Sequence, residues 1–148
     1  MRTLLSISLL VAVAALLTTP GVSKGSSYAP DRAVYVASSQ YGPILFAGKG
    51  RALYAFTRDS KGRSVCTGAC ATSWPPFVVG SRAQAVRGAH TSLLGTVRRV
   101  DGTRQVTYGG RPLYYYIGDR RPGQVLCQDV REFGGTWLVV RGSGRLVR

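Results

Sequence analysis

The sequence predicts an all-β protein: two diverged meander repeats packed into one small sandwich-like domain. Three observations carry that reading. Apolar residues come in short runs of strand length, rich in β-branched and aromatic members. With 19 glycines and 7 prolines in 148 residues, long helices are not expected. Laid on itself, the chain also matches: Gly50-Arg51-Ala52-Leu53-Tyr54-Ala55-Phe56-Thr57-Arg58-Asp59 aligns with Gly110-Arg111-Pro112-Leu113-Tyr114-Tyr115-Tyr116-Ile117-Gly118-Asp119, with Gly, Arg, Leu, Tyr and Asp identical. Trp74-Pro75-Pro76-Phe77-Val78-Val79 then pairs with Trp137-Leu138-Val139-Val140. Repetition of this kind marks a supersecondary unit that cannot bury its apolar face alone.

At the N-terminus, Arg2 precedes a charge-free run from Leu4 to Leu17, and Thr18-Thr19-Pro20-Gly21 breaks it. A charged start, a short apolar core and a small-residue exit describe a secretory signal peptide over residues 1–25. The run is shorter than the roughly 20 residues of a spanning helix. No cysteine lies near the exit, so a lipid anchor is not expected. Residues 26–40 form a lead-in, residues 41–141 the domain, with repeats at 41–80 and 93–141, and residues 142–148 a basic tail.

The strands follow in order. Ala33-Val34-Tyr35-Val36 and Ile44-Leu45-Phe46-Ala47 open the first unit, and Gly48-Lys49-Gly50 reverses the chain into Leu53-Tyr54-Ala55-Phe56. Residues 81–87 offer a short helix. In the second unit, Leu93 to Val100 meets Asp101-Gly102, a strong hairpin signal because glycine accepts the positive φ of a primed turn. Thr103 to Tyr108 follows, and Gly109-Gly110 launches Leu113 to Ile117. There Leu113, Tyr115 and Ile117 share one face while Tyr114 and Tyr116 share the other. Both faces are apolar, as in a strand covered on both sides.

Asp59 and Asp119 occupy one repeat position just past an aromatic strand. An aspartate there can accept amides of the following turn, so both are read as structural, as are Trp74 and Trp137. Tyr54, Tyr114, Tyr116 and Arg111 are the candidate ligand-binding residues, the rings as sugar-stacking surfaces. Of the three cysteines, Cys66 and Cys70 are close enough for a local disulfide in an oxidising compartment. That pairing, with Cys127 buried or unpaired, is favoured over a bond from Cys127 to either partner. Three cysteines and His90, the only histidine, could supply four zinc ligands, but export opposes free thiolates. No metal, cofactor or catalytic residue is expected.

Seventeen of the 20 basic residues are arginine, and removal of residues 1–25 leaves 18 basic side chains against 6 acidic. Such a balance suits an anionic cell-wall polymer, an anionic membrane surface or an envelope protein as partner. Nucleic acid is disfavoured because the charges are scattered rather than clustered with exposed aromatics. The sequence therefore favours a noncatalytic cell-envelope module. The alternatives are a glycan-directed enzyme using Asp59 and Asp119, or an envelope metal or redox protein.

Leu53 to Asp59 and Leu113 to Asp119 resemble the paired Tyr-x-aromatic-x-x-Asp motif of a bacterial family of predicted lipoproteins, described as a secreted repeat of unknown function. Cys66-Thr67-Gly68-Ala69-Cys70 leading into Trp74-Pro75-Pro76 is similar to that family's Cys-x-x-x-Cys segment. Thr107 to Tyr114 and Phe133-Gly134-Gly135-Thr136-Trp137 resemble its second-unit signatures. The resemblance implies an extracytoplasmic location and two repeats, and no settled activity. Many members have a lipid-modified cysteine after the signal, which this chain lacks. Members also commonly carry histidine where Arg111 stands.

Overall fold

The computed structural model describes residues 31–148, so the expected signal peptide lies outside the described residues. The first unit opens with β1 (Ala33–Ser39) and β2 (Gly42–Ala47), paired antiparallel from Val34↔Ala47 to Ser39↔Gly42, and continues through β3 (Arg51–Ala52) and β4 (Tyr54–Phe56). A single helical turn, α1 (Ala69–Ser73), precedes Trp74, and β5 (Gln84–Ala85) follows. In the second unit β6 (Leu94–Arg98), β7 (Arg104–Tyr108) and β8 (Arg111–Pro112) form the expected meander. The hairpin β9 (Val130–Glu132) and β10 (Gly135–Val139) then delivers Trp137. The result is a β-rich domain of three sheets, ordered β3-β2-β1-β5, β4-β10-β9 and β6-β7-β8.

Neither unit is complete by itself. β10 of the second unit pairs with β4 of the first, setting Trp137 opposite Phe56 and Val139 opposite Tyr54. The Trp74-led segment of the first unit pairs in turn with the second, through the bridges Pro76↔Tyr114 and Val78↔Gln105. The hydrogen bonds repeat in matched pairs. Leu45 N donates to Val140 O at 2.7 Å and Val106 N to Phe77 O at 2.8 Å, while Gly62 N reaches Gly110 O and Gly123 N reaches Gly50 O, both at 2.9 Å. Tyr54 and Tyr114 exchange both backbone bonds at 2.9 Å, joining the units at their centre.

Side-chain alternation along these strands feeds two cores. Ile44, Phe46, Tyr54, Phe56, Trp74, Tyr114 and Trp137 pack in one cluster, and Leu45, Ala47, Leu53, Ala55, Phe77, Val106 and Leu113 in the other. Both faces of the aromatic strands are therefore covered. The first cluster contains a four-ring column. Phe56 stacks on Trp137 at 4.2 Å and Trp137 on Trp74 at 4.0 Å with planes 1° apart, and Tyr116 meets Trp74 at 4.8 Å with its ring tilted by 40°. Each such pair adds about 0.5–1.5 kcal/mol beyond the area it buries.

Two local expectations are corrected. Residues 81–87 do not form a helix: β5 pairs parallel with β1, Gln84 N donating to Arg32 O and Val86 N to Val34 O. Seven residues are too few for a stable helix in isolation, and the open edge of β1 offers ready partners. Ile117 is 52% exposed rather than facing inward with Leu113, because the chain leaves the strand beyond Tyr115 and Ile117 N turns to Ser73 O. The expected basic tail at residues 142–148 packs onto the domain. Arg141 and Gly144 close a tight turn, Leu146 bridges Val140, and Val147 is buried in the first cluster.

Because each Trp-led strand is bonded to the other unit, the domain should unfold in one transition by both fluorescence and far-UV circular dichroism. Trp137→Ala should lower its unfolding free energy by about 3–5 kcal/mol while keeping that single transition. Two separable transitions would contradict the interlock.

Candidate functional site

The motif side chains meet at the centre of the interlock, and they meet crosswise. Tyr54 of the first unit donates its hydroxyl to Asp119 Oδ2 of the second at 2.6 Å. Tyr114 of the second donates to Asp59 Oδ2 of the first at 2.7 Å. The other oxygen of each carboxylate accepts a turn amide of its own unit, Val65 N to Asp59 Oδ1 at 2.8 Å and Leu126 N to Asp119 Oδ1 at 3.0 Å. Each aspartate thus fixes the turn after its own strand and holds the tyrosine of the neighbouring strand. Tyr54 and Tyr114 are both 0% exposed. Fully enclosed rings present no face to a ligand, so the sugar-stacking role expected for these two does not fit their positions.

Burial dominates the electrostatics here. It pushes the carboxyls of Asp59 and Asp119 above the ordinary 3.8, against the tyrosine and amide hydrogen bonds and the guanidinium charge of Arg99 near Asp59 and Arg51 near Asp119. Burial, reinforced by the hydrogen-bonded carboxylates, likewise raises the hydroxyls of Tyr54 and Tyr114 far above 10. These tyrosines stay protonated, and each gives its one hydroxyl proton to a carboxylate.

Around Tyr114 lies a polar network that no sequence motif announced. The Tyr114 hydroxyl also shares a hydrogen bond with Ser64 Oγ at 2.7 Å. Arg99, 5% exposed, donates to Ser64 Oγ at 2.6 Å, to Gln105 Oε1 at 2.8 Å and to Cys66 O at 2.7 Å. Gln105 passes the chain on to Leu113 O. The available signal was alternation: Val97 and Arg99 share the inward face of the β6 hairpin. Glu132 was equally unforeseen, and its carboxylate receives Trp74 Nε1 at 2.9 Å. Trp137 Nε1 has no such partner.

Cys66 and Cys70 form a disulfide that clasps the α1 turn, where Trp74 N closes onto Cys70 O at 2.8 Å. Gly68, at φ +56°, starts that turn in a left-handed conformation. Val65 and Leu126 serve their aspartates identically, which makes Cys127 the counterpart of Cys66; there the β9–β10 hairpin replaces the clasped turn. Cys127 is a free, half-buried thiol hydrogen-bonded to the half-buried Tyr116, and burial raises its pKa. Arg111, the last candidate, lines a surface concavity with Arg145, Leu146 and Arg148. His90 is exposed in a loop, and among the described residues no group of three or more His, Cys, Asp or Glu side chains could hold a metal ion.

Two interlocked aromatic–Asp repeats form one β domain. The family model described as "Secreted repeat of unknown function" matches residues 35–78 and 95–141, the two interlocked units and more than half of the chain. The protein belongs to this family. Comparison with curated proteins and with solved structures gives no match.

The crossed geometry makes a specific energetic claim. Double-mutant cycles with Tyr→Phe and Asp→Asn should give coupling of about 1.5–3 kcal/mol for Tyr54 with Asp119 and for Tyr114 with Asp59. The same-unit pairs Tyr54 with Asp59 and Tyr114 with Asp119 should couple far less; the reverse pattern would refute the exchange. A pH dependence follows as well. A raised carboxyl pKa means that the folded state holds the proton more tightly than the unfolded chain. The contribution of Asp59 and Asp119 is therefore complete below 3.8 and is lost as pH rises through the raised values. The difference in melting temperature between wild type and Asp59→Asn/Asp119→Asn should shift against the wild type as pH rises through that window, and a shift in its favour would contradict the assignment.

Proposed function

We propose that this exported domain is a noncatalytic module of the cell envelope that holds an anionic polymer through its surface arginines. One observation carries the reading. Eighteen basic side chains lie within the described residues, yet among those residues the one guanidinium–carboxylate ion pair is Arg99–Asp101 at 3.4 Å. Most of the others, including Arg58, Arg63, Arg82, Arg98, Arg104, Arg120, Arg121, Arg131, Arg145 and Arg148, are exposed. Unneutralised charge on this scale weakens the compact state by self-repulsion and attracts polyanions.

The groups able to do chemistry are committed elsewhere. Both oxygens of Asp59 and of Asp119 accept hydrogen bonds from tyrosine and turn amide. Neither aspartate lines the concavities around Arg82 and Thr96, around Arg131 and Phe133, or around Arg111. A hydrolytic carboxylate pair needs both groups open to one cleft, which supports binding over glycan cleavage.

Retention of the protein on isolated envelope polymer should fall steeply between about 0.1 M and 1 M salt, where the screening length contracts from about 10 Å to about 3 Å. Retention indifferent to salt, or none at low salt, would overturn the reading.

A further inference from the structure

Arg51 and Arg111 hold the same repeat position, yet the protein engages only one of them. Arg51 donates through Nη2 to Tyr116 O at 2.9 Å, and its guanidinium lies over the Tyr115 ring at 4.2 Å. The residue matching Tyr115 in the other unit is Ala55, which offers no ring. Arg111 is half-buried and, among the described residues, its side chain has no hydrogen bond, ion pair or ring contact. The two units therefore differ at this position: one guanidinium is held by the fold and the other is not.

Arg111 is not alone. The turn at Arg141–Gly144 folds the chain back, and Arg145 and Arg148 line one concavity of about 210 Å³ with Arg111 and Leu146. The side chains of Arg145 and Arg148 also lack partners among the described residues, and no Asp or Glu side chain lines the space. The Lys61 stem lies beside Gly110, the residue before Arg111, with Cγ 3.3 Å from where a Cβ on that glycine would stand. Like charges gathered around one hollow repel unless an anion occupies it.

We propose that this concavity binds the phosphate group of a phosphodiester carried by an anionic envelope polymer. The inference rests on the polymer-binding reading and names the group recognised. Guanidinium forks match phosphate oxygens bidentately. A phosphodiester holds its charge on two non-bridging oxygens set tetrahedrally about phosphorus, so guanidinium forks can reach them from outside one plane, whereas the two oxygens of a carboxylate lie in the plane of their carbon's substituents; three arginines line the hollow. The volume is below the roughly 300–1,000 Å³ of typical small-molecule pockets. That suits one charged group, with the rest of the polymer running over the exposed surface.

The test uses the full exported chain, titrated with inorganic phosphate and then with a synthetic glycerol phosphate oligomer, while arginine Nε–H resonances are followed by NMR. Saturable shifts are expected at Arg111 and Arg145. Arg111→Gln/Arg145→Gln should weaken oligomer binding by about tenfold or more, whereas Arg120→Gln/Arg121→Gln, which removes equal charge from an exposed pair, should change it by less than about twofold. Unchanged melting temperatures in both variants exclude misfolding as the cause, and Arg111→Lys, keeping charge but not the fork, should fall between them. Equal weakening by the two double variants, shifts spread over all arginines, or equally Arg111-dependent binding of a polycarboxylate of matched charge would overturn the site. Preference for phosphatidylglycerol vesicles over the oligomer would overturn its polymer assignment. Salt-sensitive envelope retention that survives Arg111→Gln/Arg145→Gln, together with absent phosphate shifts, would remove this site and leave the general reading standing. Phosphate shifts at Arg111 and Arg145 without envelope retention would do the opposite.

Discussion

The antiparallel pairing of Tyr54 with Tyr114 sets the geometry on which the domain depends. Two backbone bonds of 2.9 Å hold the strands together at this point, and each tyrosine then extends its hydroxyl to the aspartate of the opposite unit. The Trp-led strands complete the arrangement from outside, each bonded to the other unit's aromatic strand. A unit of this size buries too little apolar surface to stand alone. The exchange solves that problem by making each repeat part of its neighbour's core. The Trp74–Trp137 stack, 4.0 Å apart and nearly parallel, is the packing counterpart of the same exchange.

Within this frame the two units have diverged where symmetry is not required. The first reaches its tryptophan through a disulfide-clasped helical turn and the second through a hairpin. That hairpin turns at Phe133 and Gly134, both at positive φ, and its Glu132 satisfies Trp74 Nε1, while Trp137 Nε1 goes without a partner. Cys127 keeps the position of Cys66 but forms no disulfide. Tyr115 likewise gives Arg51 a ring to lie over, and Ala55 at the matching position gives Arg111 none.

Charge is partitioned to match. The buried carboxylates are met by neutral donors, namely tyrosine hydroxyls and turn amides, with Arg99 and Arg51 as the nearby cations. Arginine otherwise lies mostly outside, with little acidic surface to neutralise it. Interior polar groups are consumed in holding the repeats together, and exterior ones are available to a partner. Buried networks of this kind fix one arrangement because any slip leaves a polar group unsatisfied.

The sequence alone determined the β-rich fold, the repeat and the local cysteine pair, because these rest on alternation, turn chemistry and short chain separations. Gly48-Lys49-Gly50 and Asp101-Gly102 specify reversals within a few residues, and the matching Tyr and Asp positions are visible without coordinates. Only the tertiary structure decided which tyrosine meets which aspartate. Position along the chain ties Asp59 to the Tyr54 strand, and nothing local reveals that its carboxylate belongs to Tyr114. The burial of Arg99, the edge strand β5 within residues 81–87 and the gathering of Arg111 with Arg145 have the same cause. Each is settled by what a distant strand places beside it, and hydrogen-bonding and burial free energies at such contacts outweigh local propensity.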